Sequence, residues 1–200
     1  MRPLLSLVII LGLYGCGPDP RASILAFGDS VTFGTGAPPG QGWPELLAAD
    51  TGWQVVNAGI PGDTAAKARN RIAPLLDAHQ PALVIVELGG NDFLRKASEA
   101  TVKESLRTII DTIQAADIDV VLVAVPRFSL LRATTGALAD AELYEELAEE
   151  EGVMLVPDVF ADVLSDERLR ADPIHPNAQG YRQFADGLLS AFRGIGLLVE

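Results

Sequence analysis

From residue 23 onward, short apolar runs alternate with longer stretches whose apolar positions recur every three or four residues. That alternation marks an α/β domain around a buried parallel sheet, because strands covered by helices on both faces lose the apolar-polar alternation of half-exposed ones. Runs rich in Val, Ile and Leu predict strands at 24–27, 54–58, 83–88, 120–125 and 153–156. Helices are predicted between them. Trp43-Pro44 opens one, with proline in the first turn where no backbone donor is needed. Asp63 and Thr64 offer caps to a helix running toward His79. The strongest period covers 98–116, where Val102, Leu106, Ile109, Ile110 and Ile113 share a face opposite the charges. The acidic stretch 142–150 predicts a helix with a solvated face, and a helix at 177–192 closes the domain on Phe184, Leu188 and Leu189. No internal repeat or low-complexity segment is visible.

Two hundred residues, 48% of them apolar, suffice for one compact domain, here bounded at 23–195. Lys and Arg number 15 against 27 Asp and Glu, so the net charge of -12 excludes a nucleic-acid partner, which needs a basic face. The same acidity opposes electrostatic docking on anionic lipid. Membrane association therefore has to come from the N-terminus. Residues 1–16 read as a secretory signal, with Arg2 in the n-region and an apolar stretch at 4–13 too short for a comfortable span. Its end, Leu13-Tyr14-Gly15-Cys16, resembles a bacterial lipobox, and Cys16 is the chain's single cysteine. The resemblance implies lipidation at Cys16, several acyl chains and stable anchoring. Residues 17–22 then form a tether. Gly17 in place of an Asp favours the outer membrane, facing the periplasm, by analogy with enteric-type sorting.

Ligands of open parallel sheets bind beyond the carboxyl ends of the strands, so the residues after each apolar run carry the candidate chemistry. The first strand leaves into Gly28-Asp29-Ser30, the second into Gly59-Ile60-Pro61-Gly62-Asp63 and the third into Gly89-Gly90-Asn91-Asp92. After the fifth, a longer loop ends in Asp172-Pro173-Ile174-His175-Pro176. A serine hydroxyl attacks well only when a base removes its proton, and neutral imidazole is the usual base. Of two histidines, His79 ends a polar helix and reads as solvated. His175 is the candidate base, with Asp172 placed to fix its tautomer. Gly62, Asn91 and the Ser30 N–H are candidate oxyanion donors. Taken singly each motif is weak, since Asp and His also cap helices and glycine also makes turns.

In order along the chain, these four segments resemble the sequence blocks of the SGNH (GDSL) hydrolase family. Trp43-Pro44-Glu45-Leu46-Leu47, Val55-Val56-Asn57-Ala58, Gly62-Asp63-Thr64 and 86–92 extend the likeness to its bacterial periplasmic thioesterase/lysophospholipase branch, often called arylesterase. The likeness covers about 23–190. It implies a flavodoxin-like three-layer α/β/α sandwich with a five-stranded parallel sheet in order 2-1-3-4-5. It also implies Ser30 as nucleophile, Asp172 and His175 as its partners, and Ser30, Gly62 and Asn91 as the oxyanion hole. The expected reaction is two-step hydrolysis of carboxylic esters or thioesters through an acyl-enzyme, with no cofactor and no metal. The expected partner is a small-molecule or lipid ester substrate, and the protein is expected to act as a monomer.

The shared blocks do not separate thioesterases, lysophospholipases, aryl esterases and carbohydrate O-acetylesterases. Where the nearest branch has a Pro-Ala-Asn-Tyr type of loop, this chain has Pro126-Arg127-Phe128-Ser129-Leu130-Leu131-Arg132. Phe128, Leu130 and Leu131 either line an acyl groove or pack as satellite core. Two rivals stand beside catalysis. A flavin could use Thr32 and the following glycines but would leave the 172–175 segment unemployed. A non-catalytic envelope-binding lipoprotein would have no use for the triad or the oxyanion donors.

Overall fold

The protein is described by a computed structural model covering residues 23–127 and 138–198. Cys16, Phe128, Leu130 and Leu131 lie outside the described residues. Five parallel strands, β1 (Ser23–Gly28), β2 (Gln54–Gly59), β3 (Leu83–Glu87), β4 (Asp119–Val123) and β5 (Met154–Val156), pair in the order 2-1-3-4-5. Each predicted strand is present, and the order is the expected one.

Helices cover both faces. On one side α2 (Trp43–Thr51), α8 (Val159–Ser165) and α9 (Ala178–Gly194) pack together, with the Trp43 and Phe160 rings 6.0 and 5.6 Å from the Phe184 ring. On the other, α6 (Glu99–Gln114) packs against α3 (Ala65–Ala68), α4 (Ile72–His79) and α7 (Leu143–Glu151). The expected stripe of α6, from Val102 to Ile113, is fully buried. Two short helices, α1 (Ser30–Phe33) and α5 (Gly90–Leu94), begin where β1 and β3 end.

Three expectations need correction. The helix expected from Thr64 to His79 is two helices. Thr64 caps α3, and α4 restarts at Ile72 so that Pro74 occupies its first turn, where a missing N–H costs no helical bond. The expected loop after β5 contains α8, a 3-10 turn at Glu167–Leu169 and a hairpin of β6 (Arg170–Asp172) and β7 (His175–Pro176). Its apolar residues Phe160, Val163 and Leu164 are buried, which is why this segment folds rather than wandering over the surface. The acidic helix α7 is more than a solvated face. Its Glu146, Glu150 and Glu151 pair with Lys103 and Arg107 of α6 at 2.5–2.8 Å, while Leu143, Tyr144 and Leu147 face the core.

Tyr144 also reaches the sheet edge that bears the site. Its hydroxyl donates to the Leu88 carbonyl at 2.7 Å, and a Cβ on the next residue, Gly89, would lie 2.1 Å from the Tyr144 hydroxyl oxygen. Gly89 is further held at φ +128°, a conformation that side chains rarely adopt. Tyr144→Phe should strand a buried carbonyl and lower stability by about 1–3 kcal/mol, read as a reduced denaturant midpoint at unchanged slope.

Candidate active site

Across β1 the register aligns Gly28 with Gly59 of β2 and Glu87 of β3, so three strands deliver their next residues to one edge. The chain then turns sharply out of β1. A Cβ at Gly28 would lie 1.9 Å from Thr32 Oγ1, and one at Gly59 would lie 2.2 Å from the Phe33 nitrogen. Backbone without side chains is therefore what lets α1 fold back over the ends of β1 and β2. Asp29 caps the turn, its Oδ1 accepting from the Val31 N–H at 3.0 Å. Ser30 is consequently the first residue of α1, where a backbone N–H has no intrahelical acceptor.

The β6–β7 hairpin carries the other half. Asp172 and His175 are cross-strand partners, and Asp172 Oδ1 accepts from the N–H groups of Ile174 (2.9 Å) and His175 (3.0 Å). Asp172 Oδ2 lies 2.7 Å from His175 Nδ1, and His175 Nε2 lies 2.9 Å from Ser30 Oγ. Burial works to raise the Asp172 carboxyl, but the hydrogen bonds from His175 and Ile174 outweigh it and hold it below the ordinary range. An ionised carboxylate at Nδ1 favours the tautomer with its proton there, leaving Nε2 as acceptor for the serine.

Asn91, in the first turn of α5, donates from Nδ2 to Asp29 Oδ2 at 2.8 Å. A carboxamide nitrogen has two hydrogens, so one remains for a ligand. Gly62 sits at φ +77° in the turn after β2, with its carbonyl accepting from Arg95 Nη2 at 3.0 Å. Among the described hydrogen bonds, none uses the Ser30 or Gly62 N–H. Ser30, Asn91 and His175 border one cavity of about 20 Å³, while Gly62 lies outside its lining. Leu94, Phe160 and Ile174 give that cavity an apolar side. His79 is exposed at the end of α4, away from these groups.

Sequence reasoning missed the supports beneath these groups. Arg71 donates from Nε to Asp63 Oδ2 (2.8 Å), from Nη1 to the Ala58 carbonyl (2.9 Å) and from Nη2 to the Gly28 carbonyl (2.8 Å). Its guanidinium lies 4.1 Å above the Phe27 ring, so one side chain ties the ends of β1 and β2 to the turn that carries Gly62. Asp92 Oδ2 accepts from the Ala65 N–H at 2.9 Å and joins α5 to α3. Glu87 is buried with Oε2 accepting from Thr32 Oγ1 at 2.8 Å. Burial pushes its carboxyl well above the ordinary range, and the nearby Asp29 adds to the effect. Asp29, also buried, is pushed up to about 6 by desolvation against its hydrogen bonds from Val31 and Asn91. The legible signal was Glu87, a charged residue ending an apolar strand; nothing in the spacing of Arg71 marked it. Among the described residues no group of three or more His, Cys, Asp or Glu side chains could hold a metal ion.

A hydroxyl, an imidazole and a carboxylate in hydrogen-bonded series, beside donors at the ends of three strands, form a site suited to acyl transfer. The chain belongs to the GDSL-like lipase/acylhydrolase family, whose model matches residues 26–183. It is a serine hydrolase of ester substrates. Among its relatives is thioesterase 1/protease 1/lysophospholipase L1 of Escherichia coli K12, 36% identical over 172 residues that cover 82% of this chain and 80% of that protein. The arylesterase of Vibrio mimicus is 30% identical over 195 residues, covering 93% and 95%. The crystal structure of TesA superposes with a TM-score of 0.75 at 30% identity, over 88% of this chain and 99% of TesA.

Because Asp29 fixes the Asn91 carboxamide beside Ser30, Asp29→Ala should lower kcat at least about tenfold. KM should move little, and circular dichroism of the variant reports whether the fold survives.

Proposed function

We propose that Ser30 is the nucleophile, His175 the general base and acid, and Asp172 the group that orients and stabilises the imidazole. The unbroken series from Asp172 Oδ2 through His175 to Ser30 Oγ, at 2.7 and 2.9 Å, is the observation that carries this reading. Nε2 takes the serine proton as Oγ adds to the substrate carbonyl. The oxyanion is received by the Ser30 N–H, the Gly62 N–H and the second hydrogen of Asn91 Nδ2. Collapse breaks the bond to the alcohol or thiol, which leaves with the proton from His175. Water then gives a proton to Nε2 while its oxygen adds to the acyl carbon. The second collapse returns the proton to Ser30 Oγ and frees the acid.

Carboxylic esters are the proposed substrates, with thioesters as the softer-leaving-group variant suggested by the name of the Escherichia coli relative. The cavity beside Ser30 is small and has Leu94, Phe160 and Ile174 in its lining, which supports a short acyl group. That same observation supports a second reading, a carbohydrate O-acetylesterase on the same scaffold. Either way, the chain is proposed to act as a monomer in which residues 1–16 export it and Cys16 anchors it, by lipid, to the outer membrane facing the periplasm. Residues 17–22 would be its tether, and 23–195 the catalytic domain. No helix among the described residues is long and apolar enough to cross a membrane.

Purified protein should hydrolyse p-nitrophenyl acetate and butyrate, with rates falling toward the octanoate and palmitate. Ser30→Ala should abolish turnover, and Asn91→Ala should reduce kcat by roughly 100- to 1,000-fold; a fall of less than about tenfold removes Asn91 from the oxyanion hole. Cells fed radiolabelled palmitate should label the wild-type protein and not Cys16→Ser, and absence of label in the wild type would refute lipid anchoring there.

A further inference from the structure

Three of the four exposed large apolar residues among those described, Phe33, Ile60 and Leu94, lie at the carboxyl edge of the sheet. Phe33 is the most exposed at 56%, and it follows Ser30 by three positions on α1, so the two side chains are neighbours on one helix face. Phe33 lines a cavity of about 420 Å³ together with the segment 37–40. The cavity that Ser30 itself lines is far smaller, at about 20 Å³. Room for a large substituent is therefore greater beside Phe33.

The polar lining of this cavity is specific. Glu45, from α2, presents its carboxylate there beside Asn57 of β2. Asn57 Nδ2 donates to Glu45 Oε1 at 2.9 Å and Asn57 Oδ1 accepts from the Gly59 N–H at 3.0 Å, which fixes the carboxylate with Oε2 uncommitted among the described hydrogen bonds. An aromatic face and a carboxylate together recognise an organic cation, and the carboxylate repels an anion.

The wall is also preorganised and tied to the catalytic base. Tyr181 donates to the Thr35 carbonyl at 2.8 Å, and the Thr35 N–H donates to the Ser30 carbonyl at 2.9 Å. A Cβ at Gly36 would lie 2.3 Å from the Pro176 carbonyl and 3.3 Å from His175 Cβ. The segment leading into the cavity wall thus packs against His175, the residue that protonates the departing alcohol.

We propose that the cavity walled by Phe33 and Glu45 binds the leaving-group portion of the substrate, and that the group it takes is an organic ammonium, as in an ester of an amino alcohol. This rests on Ser30 being the nucleophile. Phe33 supplies the cation–π face and Glu45 the counter-charge.

The test pairs butyrylcholine with 3,3-dimethylbutyl butyrate, its uncharged isostere, on purified full-length protein, with p-nitrophenyl butyrate as control. The cationic ester should have a kcat/KM about tenfold higher, the difference lying in KM, and Glu45→Gln should bring the ratio close to unity. Both rates come from one preparation, so a poorly folded variant lowers both and leaves their ratio intact. Equal kcat/KM for the two esters, a ratio that survives Glu45→Gln, or turnover of the control alone would each overturn the ammonium site while leaving the esterase intact. Failure on all three esters would instead overturn the assignment of Ser30.

Discussion

Everything at this site depends on how closely α1 can fall back onto the sheet. With hydrogen in place of a side chain at Gly28 and Gly59, the helix that begins at Ser30 lies directly on the ends of β1 and β2. Any larger residue would lift it by the width of a methyl group, and a serine displaced by an ångström no longer meets His175 at hydrogen-bonding distance. Arg71 secures the same edge from beneath, occupying all three of its guanidinium nitrogens with two strand ends and one turn.

The site is assembled from separate pieces whose mutual positions follow from sheet topology. Because β1 lies between β2 and β3, the turns bearing Ser30, Gly62 and Asn91 are neighbours although they are distant in sequence. The fourth piece comes from the far end of the chain, where the β6–β7 hairpin hands His175 to Ser30 across 145 positions. Its precision is local: Asp172 binds two backbone amides of its own turn, so carboxylate and imidazole move as one unit. Side chains that read as independent motifs are thereby reduced to two rigid bodies meeting at one hydrogen bond.

Much of this was legible in the residues. Strands and the long amphipathic helices follow from periodicity, and the chemistry stands at strand exits where the topology of parallel sheets places it. Pro74 shows where periodicity alone misleads: the apolar pattern continues through it, but a residue without an N–H has to begin a helix rather than extend one. The segment after β5 was hidden by brevity, since seven helical residues and a three-residue strand fall below what a repeating pattern can signal. Supports such as Arg71 and the Asp29–Asn91 contact were hidden for another reason. They join residues 8 to 62 positions apart through geometry that exists only after the sheet has formed.

The buried acids Asp29 and Glu87 impose a condition on the reaction. Esters become negatively charged as the serine adds, and an anion formed over two fixed anions would meet repulsion that little solvent is present to screen. Burial holds Glu87 in its protonated form well past the ordinary range, and the charge left on Asp29 is bound by the amide of Asn91 and the backbone of Val31. The floor beneath the nucleophile is therefore close to electrically quiet. An enzyme as acidic as this one can stabilise a further negative charge at its centre because the buried carboxyl groups nearest that centre are each held by hydrogen-bond donors.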